Sequence, residues 1–216
     1  MDRYANIGQM HLDAINEIGN IGAGNAAAAL SKMLNKKIEM DVPDTKFVPI
    51  QHFSEEFGGP DAIVLTIYSP ILGDLSGETL FIFSKDCALG LVDLMMGAEV
   101  GQTTVMDELS ESAFKEMANI FIGSYLNAIS DMIDVRALPG VPIVNSDMVQ
   151  AILDNILMKT SEYADNVLCN KANISIDGQK VTGDFLFLFD IDTMKTLLER
   201  LNKNYSREIE QSPNDK

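Results

Sequence analysis

Residues 13–24 read DAINEIGNIGAG, and residues 112–123 read SAFKEMANIFIG. In the first stretch Asp13, Glu17, Asn20 and Gly24 are spaced i, i+4, i+7 and i+11, which sets them along one face of an α-helix. Ser112, Glu116, Asn119 and Gly123 repeat the pattern 99 positions later. An apolar stripe of Leu12, Ile15, Ile18 and Gly22 runs beside the polar one, so the spacing predicts amphipathic helices over about residues 13–35 and 112–134.

The likeness extends outward from these stretches. Residues 30–35 (LSKMLN) match 129–134 (ISDMID), and Val42 and Pro43 fall on Val141 and Pro142. Further on the offset becomes 106: Gly77, Phe81 and Phe83 fall on Gly183, Phe187 and Phe189, and Leu91 and Val92 on Leu197 and Leu198. The second copy therefore carries seven extra residues in its middle. Two copies make a pseudo-twofold unit rather than a solenoid. Strand-like runs follow each long helix, at 63–68 and 79–83, then at 172–176 and 184–189, with Gly73-Asp74 and Asp177-Gly178 as turns. Short helices are expected over 87–96 and 193–201 to close the copies. The fold class is α+β: an antiparallel sheet with helices on one side, among them the two long motif-bearing ones. One domain spans 1–203, built of repeats at about 10–100 and 107–203, and a flexible polar tail follows at 204–216. The second copy adds a helical stretch at 147–158, with Asn145, Ser146 and Asp147 as N-cap chemistry.

Composition narrows the function. Of 216 residues 46% are hydrophobic and 22% charged, which excludes a mainly disordered chain. The net charge of -16 argues against nucleic acid and anionic membrane partners, both of which require clustered Lys and Arg. No stretch has the apolar length of a membrane span, and the N-terminus lacks a secretory signal, so a cytoplasmic protein is expected. Cys87 and Cys169 lie far apart and read as buried thiols. His11 and His52 are isolated and read as surface or packing residues; no metal ligand set and no covalent nucleophile arrangement is seen. The segment GNIGAG at 19–24 is no phosphate loop, because its glycine spacing is wrong and a helix precedes it. Its small residues, Gly19, Gly22, Ala23, Ala26 and Ala27, suit close packing against the larger Phe121, Ile122, Tyr125 and Leu126 of the second helix.

A solvated face would explain the polar stripe in one copy. Solubility does not require Glu and Asn at the same spacing in both. Pro43 and Pro142 each follow their Asn by 23 positions and read as chain stops between helix and strand. One chance match to Asp/Ser-x3-Glu-x2-Asn-x22-Pro has a probability of about one in a hundred thousand per start position.

The doubled pattern, at 13-17-20-43 and 112-116-119-142, resembles the signature of the CheC/FliY/CheX phosphatases of bacterial chemotaxis. The resemblance covers about residues 10–201 and is nearest to the CheC branch; a CheX-like chain would not be expected to hold two full motifs, and a FliY-like one would be expected to continue into a flagellar-switch domain. It implies a hydrolase acting on the aspartyl phosphate of a phosphorylated CheY-like response regulator. Glu17, Asn20, Glu116 and Asn119 would be the catalytic residues, supported by Asp13, Pro43, Ser112 and Pro142. An Asn carboxamide, with an acceptor and two donors, can orient a water, and a Glu can pair with a Lys of the partner. The chain would need no cofactor of its own, the Mg2+ being held by the receiver. The resemblance also implies a CheD-like deamidase as partner, docking near Asp147 and the helix 147–158. Two other readings stay open: a noncatalytic adaptor for a receiver and CheD, and a flagellar-switch component of FliY type.

Overall fold

The computed structural model describes residues 9–49, 52–159, 166–189 and 191–211. The first repeat runs α1 (Gln9–Leu34), β1 (Ile38–Pro49), α2 (Phe53–Glu56), β2 (Ile63–Gly73), β3 (Gly77–Ser84) and α3 (Lys85–Met96). The second runs α4 (Glu108–Ile133), β4 (Ala137–Pro139), β5 (Ile143–Met148), α5 (Val149–Lys159), β6 (Asn166–Ile176), β7 (Gln179–Phe189) and α6 (Ile191–Gln211). The long helices correspond residue for residue at the offset of 99, and each is followed by a left-handed residue, Asn35 (φ 51°) and Asp134 (φ 54°). Asn and Asp tolerate that conformation better than other non-glycine residues.

All strand pairs are antiparallel, in the order β1-β6-β7-β3-β2-β4, with β5 also on β2. The pseudo-twofold axis passes between β3 and β7. Leu80 faces Leu186, its own counterpart at the offset of 106, while Thr79–Phe187 and Phe81–Phe185 exchange under the same offset. Each repeat lends its first strand to the other: β1 pairs with β6, and β4 and β5 pair with β2. Neither half completes its sheet alone.

Residues of α1, α3, α4 and α6 cover one face of the sheet, burying Ile67, Phe81, Phe83, Phe185 and Phe187. The two motif helices thus share one side, as expected, and the other face is covered too: Phe53 and Phe57, in and just after α2, and Val149, Ile152, Leu153 and Ile156 of α5 pack on Leu80, Ile82, Leu186 and Leu188. Runs such as 184–189 (DFLFLF) lack polar alternation because both faces of their strands are buried.

The two motif helices cross where one is small and the other large, as the sequence predicts. A Cβ on Gly22 would stand 2.8 Å from the Cα of Tyr125, and one on Gly19 3.2 Å from its phenol oxygen. Three boundaries differ from expectation. Asn145, Ser146 and Asp147 belong to β5, and α5 begins at Val149, since 143–148 extend along β2. Pro43 lies inside β1 rather than between helix and strand. The closing helix passes the expected tail boundary at 204 and ends at Gln211, no Gly or Pro interrupting residues 191–211; the rest of the tail lies outside the described residues.

Candidate functional site

The first motif face lies on α1. Asp13, Glu17, Asn20 and Gly24 are all exposed, while Ile15, Ile18, Gly19, Gly22 and Ala23 are buried on the other side. Asp13 accepts a hydrogen bond from Gln9 (2.8 Å). Glu17 forms no ion pair among the described residues. Asn20 is held on three sides. Its oxygen accepts from the Val42 N–H (2.9 Å), and its Nδ2 donates to the carbonyls of Val42 (3.2 Å) and Asn16 (3.0 Å).

The strand explains that grip. The ladder of β1 with β6 shifts register between Asp41 and Asp44, a bulge at which backbone groups lose their cross-strand partners. Pro43, without an N–H, is tolerated there. Val42 is fully buried, so its N–H and carbonyl need partners, and the Asn20 carboxamide supplies both. With both Nδ2 hydrogens engaged, Asn20 keeps one lone pair of its oxygen unused among the described residues.

The second face lies on α4, with Ser112, Glu116 and Asn119 exposed and Gly123 half-buried. Asp107 caps this helix by accepting from the Ser110 N–H (2.8 Å), and the hydrogen bonding of Ser110 holds its carboxyl below the usual range. Here the neighbouring strand breaks into β4 and β5, and Pro142 stands in the gap. The gap is tied to β2 instead of the helix: the Gly140 N–H donates to the Pro70 carbonyl (2.7 Å), and Ser69 donates to the Gly140 carbonyl (3.0 Å). A Cβ on Gly140 would fall 2.5 Å from the Pro70 ring. Val141, the counterpart of Val42, is 80% exposed. Among the described residues no hydrogen bond to Asn119 is formed, so its carboxamide is open to solvent.

A CheC-like family model matches residues 10–46, the span that holds Asp13, Glu17, Asn20 and Pro43. The CheY-P phosphatase CheC of Bacillus subtilis is 31% identical over 209 residues, 93% of this chain and 98% of that protein. The chain belongs to the CheC family. The flagellar motor switch phosphatase FliY of the same organism is 27% identical over 95% of this chain, but the match spans only 53% of FliY. The CheC-family fold recurs in the crystal structure of Thermotoga maritima FliY, with TM-score 0.73, 23% identity, and 92% of this chain and 99% of that one covered. It recurs also in the FliM middle domain of Helicobacter pylori, with TM-score 0.62, 12% identity, and 90% and 99% covered. Among the described residues no helix is long and apolar enough to cross a membrane.

Asp147 stands apart from both motif faces. It lies on edge strand β5 opposite Val64, and its carboxylate accepts from the Met148 N–H (2.9 Å). The apolar side of α5 is core, so any partner on this side meets the β5 edge, where Ile63 and Met148 lie exposed across from one another. Cys169 is buried, and burial pushes its thiol up to about 12; Cys87 is only half-buried. His11 is buried and reaches Asn202 of α6 (3.0 Å). The sequence reading missed Asn16, Thr45, Tyr125 and Asn170 as a polar group beneath the first face. Their separation in sequence, without spacing or repetition, leaves no signal to find them by.

Proposed function

We propose that this CheC-family chain hydrolyses the aspartyl phosphate of a phosphorylated CheY-like response regulator, at two sites. The observation that carries the proposal is the pair of equivalent faces whose Glu makes no ion pair and whose Gly makes no close packing contact among the described residues. Glu17 and Glu116 form no ion pair among the described residues. A Cβ on Gly24 would meet nothing within 4 Å, and one on Gly123 only the Pro139 ring at 3.9 Å. A helical glycine costs about 1 kcal/mol relative to alanine, and no contact among the described residues accounts for keeping it at both positions. A partner surface lying close over each helix does.

In this reading Glu17 or Glu116 pairs with a Lys of the receiver and sets the helix over the acyl phosphate. The unused lone pair of the Asn20 oxygen, or the Asn119 carboxamide, accepts a hydrogen from one water and holds its oxygen in line with phosphorus. That oxygen bonds to phosphorus as the bond to the carboxylate oxygen breaks. Inorganic phosphate leaves and the aspartate is regenerated. Mg2+ is supplied by the receiver. Phosphate release from a phosphorylated receiver, with and without this protein, tests the proposal: no acceleration refutes it.

The hold of Val42 on Asn20 favours a second reading for the first face, in which Asn20 is structural and that face only binds. We place a CheD-like deamidase at the β5 edge around Asp147. Asp147→Lys is expected to weaken its binding, measured by calorimetry, without changing phosphate release.

A further inference from the structure

The Thr45 hydroxyl stands 3.0 Å from the Asn16 side-chain oxygen and 2.8 Å from that of Asn170. A hydroxyl carries one hydrogen and cannot donate to both. Beside them two buried atoms, the phenol oxygen of Tyr125 and Nδ2 of Asn170, have no hydrogen-bond partner. Asn170 neighbours the phenol, and burial drives the Tyr125 pKa upward while Asn170 opposes it. Rotating the Asn170 amide by half a turn exchanges two groups of nearly the same size, gives the Thr45 oxygen a donor in place of a second acceptor, and turns an acceptor toward the phenol. Asn170 Nδ2 then donates to Thr45, Thr45 donates to Asn16, and the Asn170 oxygen faces the phenol as the acceptor it otherwise lacks.

We infer that Tyr125, Asn170, Thr45 and Asn16 form one directed hydrogen-bond chain, from α4 through β6 and β1 to α1, that positions the first motif face. The inference deepens the proposed phosphatase reading and rests on it for its catalytic consequence. The chain ends beside Glu17, on the residue whose carbonyl accepts from Asn20. Its third member lies two residues past Pro43, just beyond the bulge that Asn20 grips. The Tyr125 ring is seated on Gly19 and Gly22 of α1. Together these contacts set how far α1 is rotated over β1, and so where Glu17 and the free lone pair of Asn20 point.

The second face has no such chain. The positions corresponding to Asn16, Thr45 and Tyr125 hold Lys115, Val144 and Ala26. Where Thr45 faces Asn170 across the ladder, Val144 faces Ile67. Four polar side chains, Tyr125 and Asn170 fully buried and Asn16 and Thr45 half-buried, were not needed to build the equivalent helix-to-strand packing, so their presence on one side alone points to positioning of that side.

Tyr125→Phe removes only the hydroxyl, and Thr45→Val breaks the chain in its middle while keeping its shape. Each is placed in an Asn119→Ala background, where the first face acts alone, and in an Asn20→Ala background, where the second acts alone. With the first face acting, kcat for phosphate release should fall about two- to tenfold, the range spanned by one buried neutral hydrogen bond, with KM unchanged. With the second acting, kcat should stay within about twofold, a difference worth well under 1 kcal/mol. Equal losses in both backgrounds would show general destabilisation and overturn the inference. Amide hydrogen exchange tests the chain without any turnover: in otherwise unmodified protein, either substitution should speed exchange at the Val42 N–H, bonded to Asn20, and leave Val141 unchanged. Unaltered Val42 protection overturns the chain. Absence of phosphate release in both backgrounds, with faster Val42 exchange, keeps the chain and refutes the phosphatase reading instead.

Discussion

The two motif helices carry the same Glu-x-x-Asn face at the same positions and differ in what lies beneath it. Under α1 the strand bulges, Val42 is buried, and Asn20 is fastened to it. Under α4 the strand is broken, the break is fastened to β2 through Gly140, and Asn119 is left to solvent. A fastened carboxamide is already in one orientation before a partner arrives. A free one must be ordered on binding, at an entropic cost. A duplicated motif thus does not entail two identical surroundings.

The largest effect expected is on activity. Asn20→Ala combined with Asn119→Ala should return phosphate release to the receiver's own rate, measured by stopped-flow decay of the phosphorylated receiver; acceleration retained by the double variant would break the parallel between the faces. Next in size is a stability difference between the halves. Buried Asp93 on α3 accepts from the N–H groups of Gly101 (2.8 Å), Gln102 (3.1 Å) and Thr103 (2.9 Å), which ties down the link between repeats, while its counterpart Glu199 is exposed. Burial pushes the Asp93 carboxyl upward, but the hydrogen bonds of Thr103, Gly101 and Gln102 together outweigh it and hold the group below its ordinary value. Asp93→Ala should cost about 3 kcal/mol in urea unfolding at neutral pH, and Glu199→Ala less than about 0.5 kcal/mol. Because the folded-state carboxyl titrates below the unfolded one, this contribution is complete above pH about 4. The gap between wild type and Asp93→Ala should close as pH falls through the folded value.

Glycine scanning sharpens the comparison further. Gly22→Ala drives a methyl into the Tyr125 backbone and should cost about 1–3 kcal/mol. Gly123→Ala meets only the Pro139 ring at 3.9 Å and should gain up to about 1 kcal/mol while slowing phosphate release. Thermal unfolding and the turnover assay read the two effects separately. Smallest is the stability effect of the single Asn variants. Asn20→Ala leaves the buried Val42 groups without a side-chain partner and should cost about 1–2 kcal/mol, whereas Asn119→Ala should stay within about 0.5 kcal/mol. Equal costs would mean that the fastening of Asn20 contributes nothing.

What the sequence determined by itself was whatever repeats or is periodic. The i, i+4, i+7, i+11 spacing placed Glu17, Asn20, Glu116 and Asn119 on exposed helix faces, the offset of 99 matched α1 to α4 end to end, and small residues facing large ones foretold the seat of Tyr125 on Gly19 and Gly22. These follow from helix geometry and side-chain volume, which are local properties. Tertiary structure alone decided the exchange of first strands between repeats, the burial of the α5 face that reads equally well as a docking surface, and the placing of Asp147 in β5 rather than at a helix cap. It alone set Asn20 on Val42 and gathered Asn16, Thr45, Tyr125 and Asn170 from four elements. Such contacts depend on where a bulge or a break falls between strands far apart in the chain, and the same valine is buried at 42 and exposed at 141 according to which neighbour takes up the backbone hydrogen bonds around it.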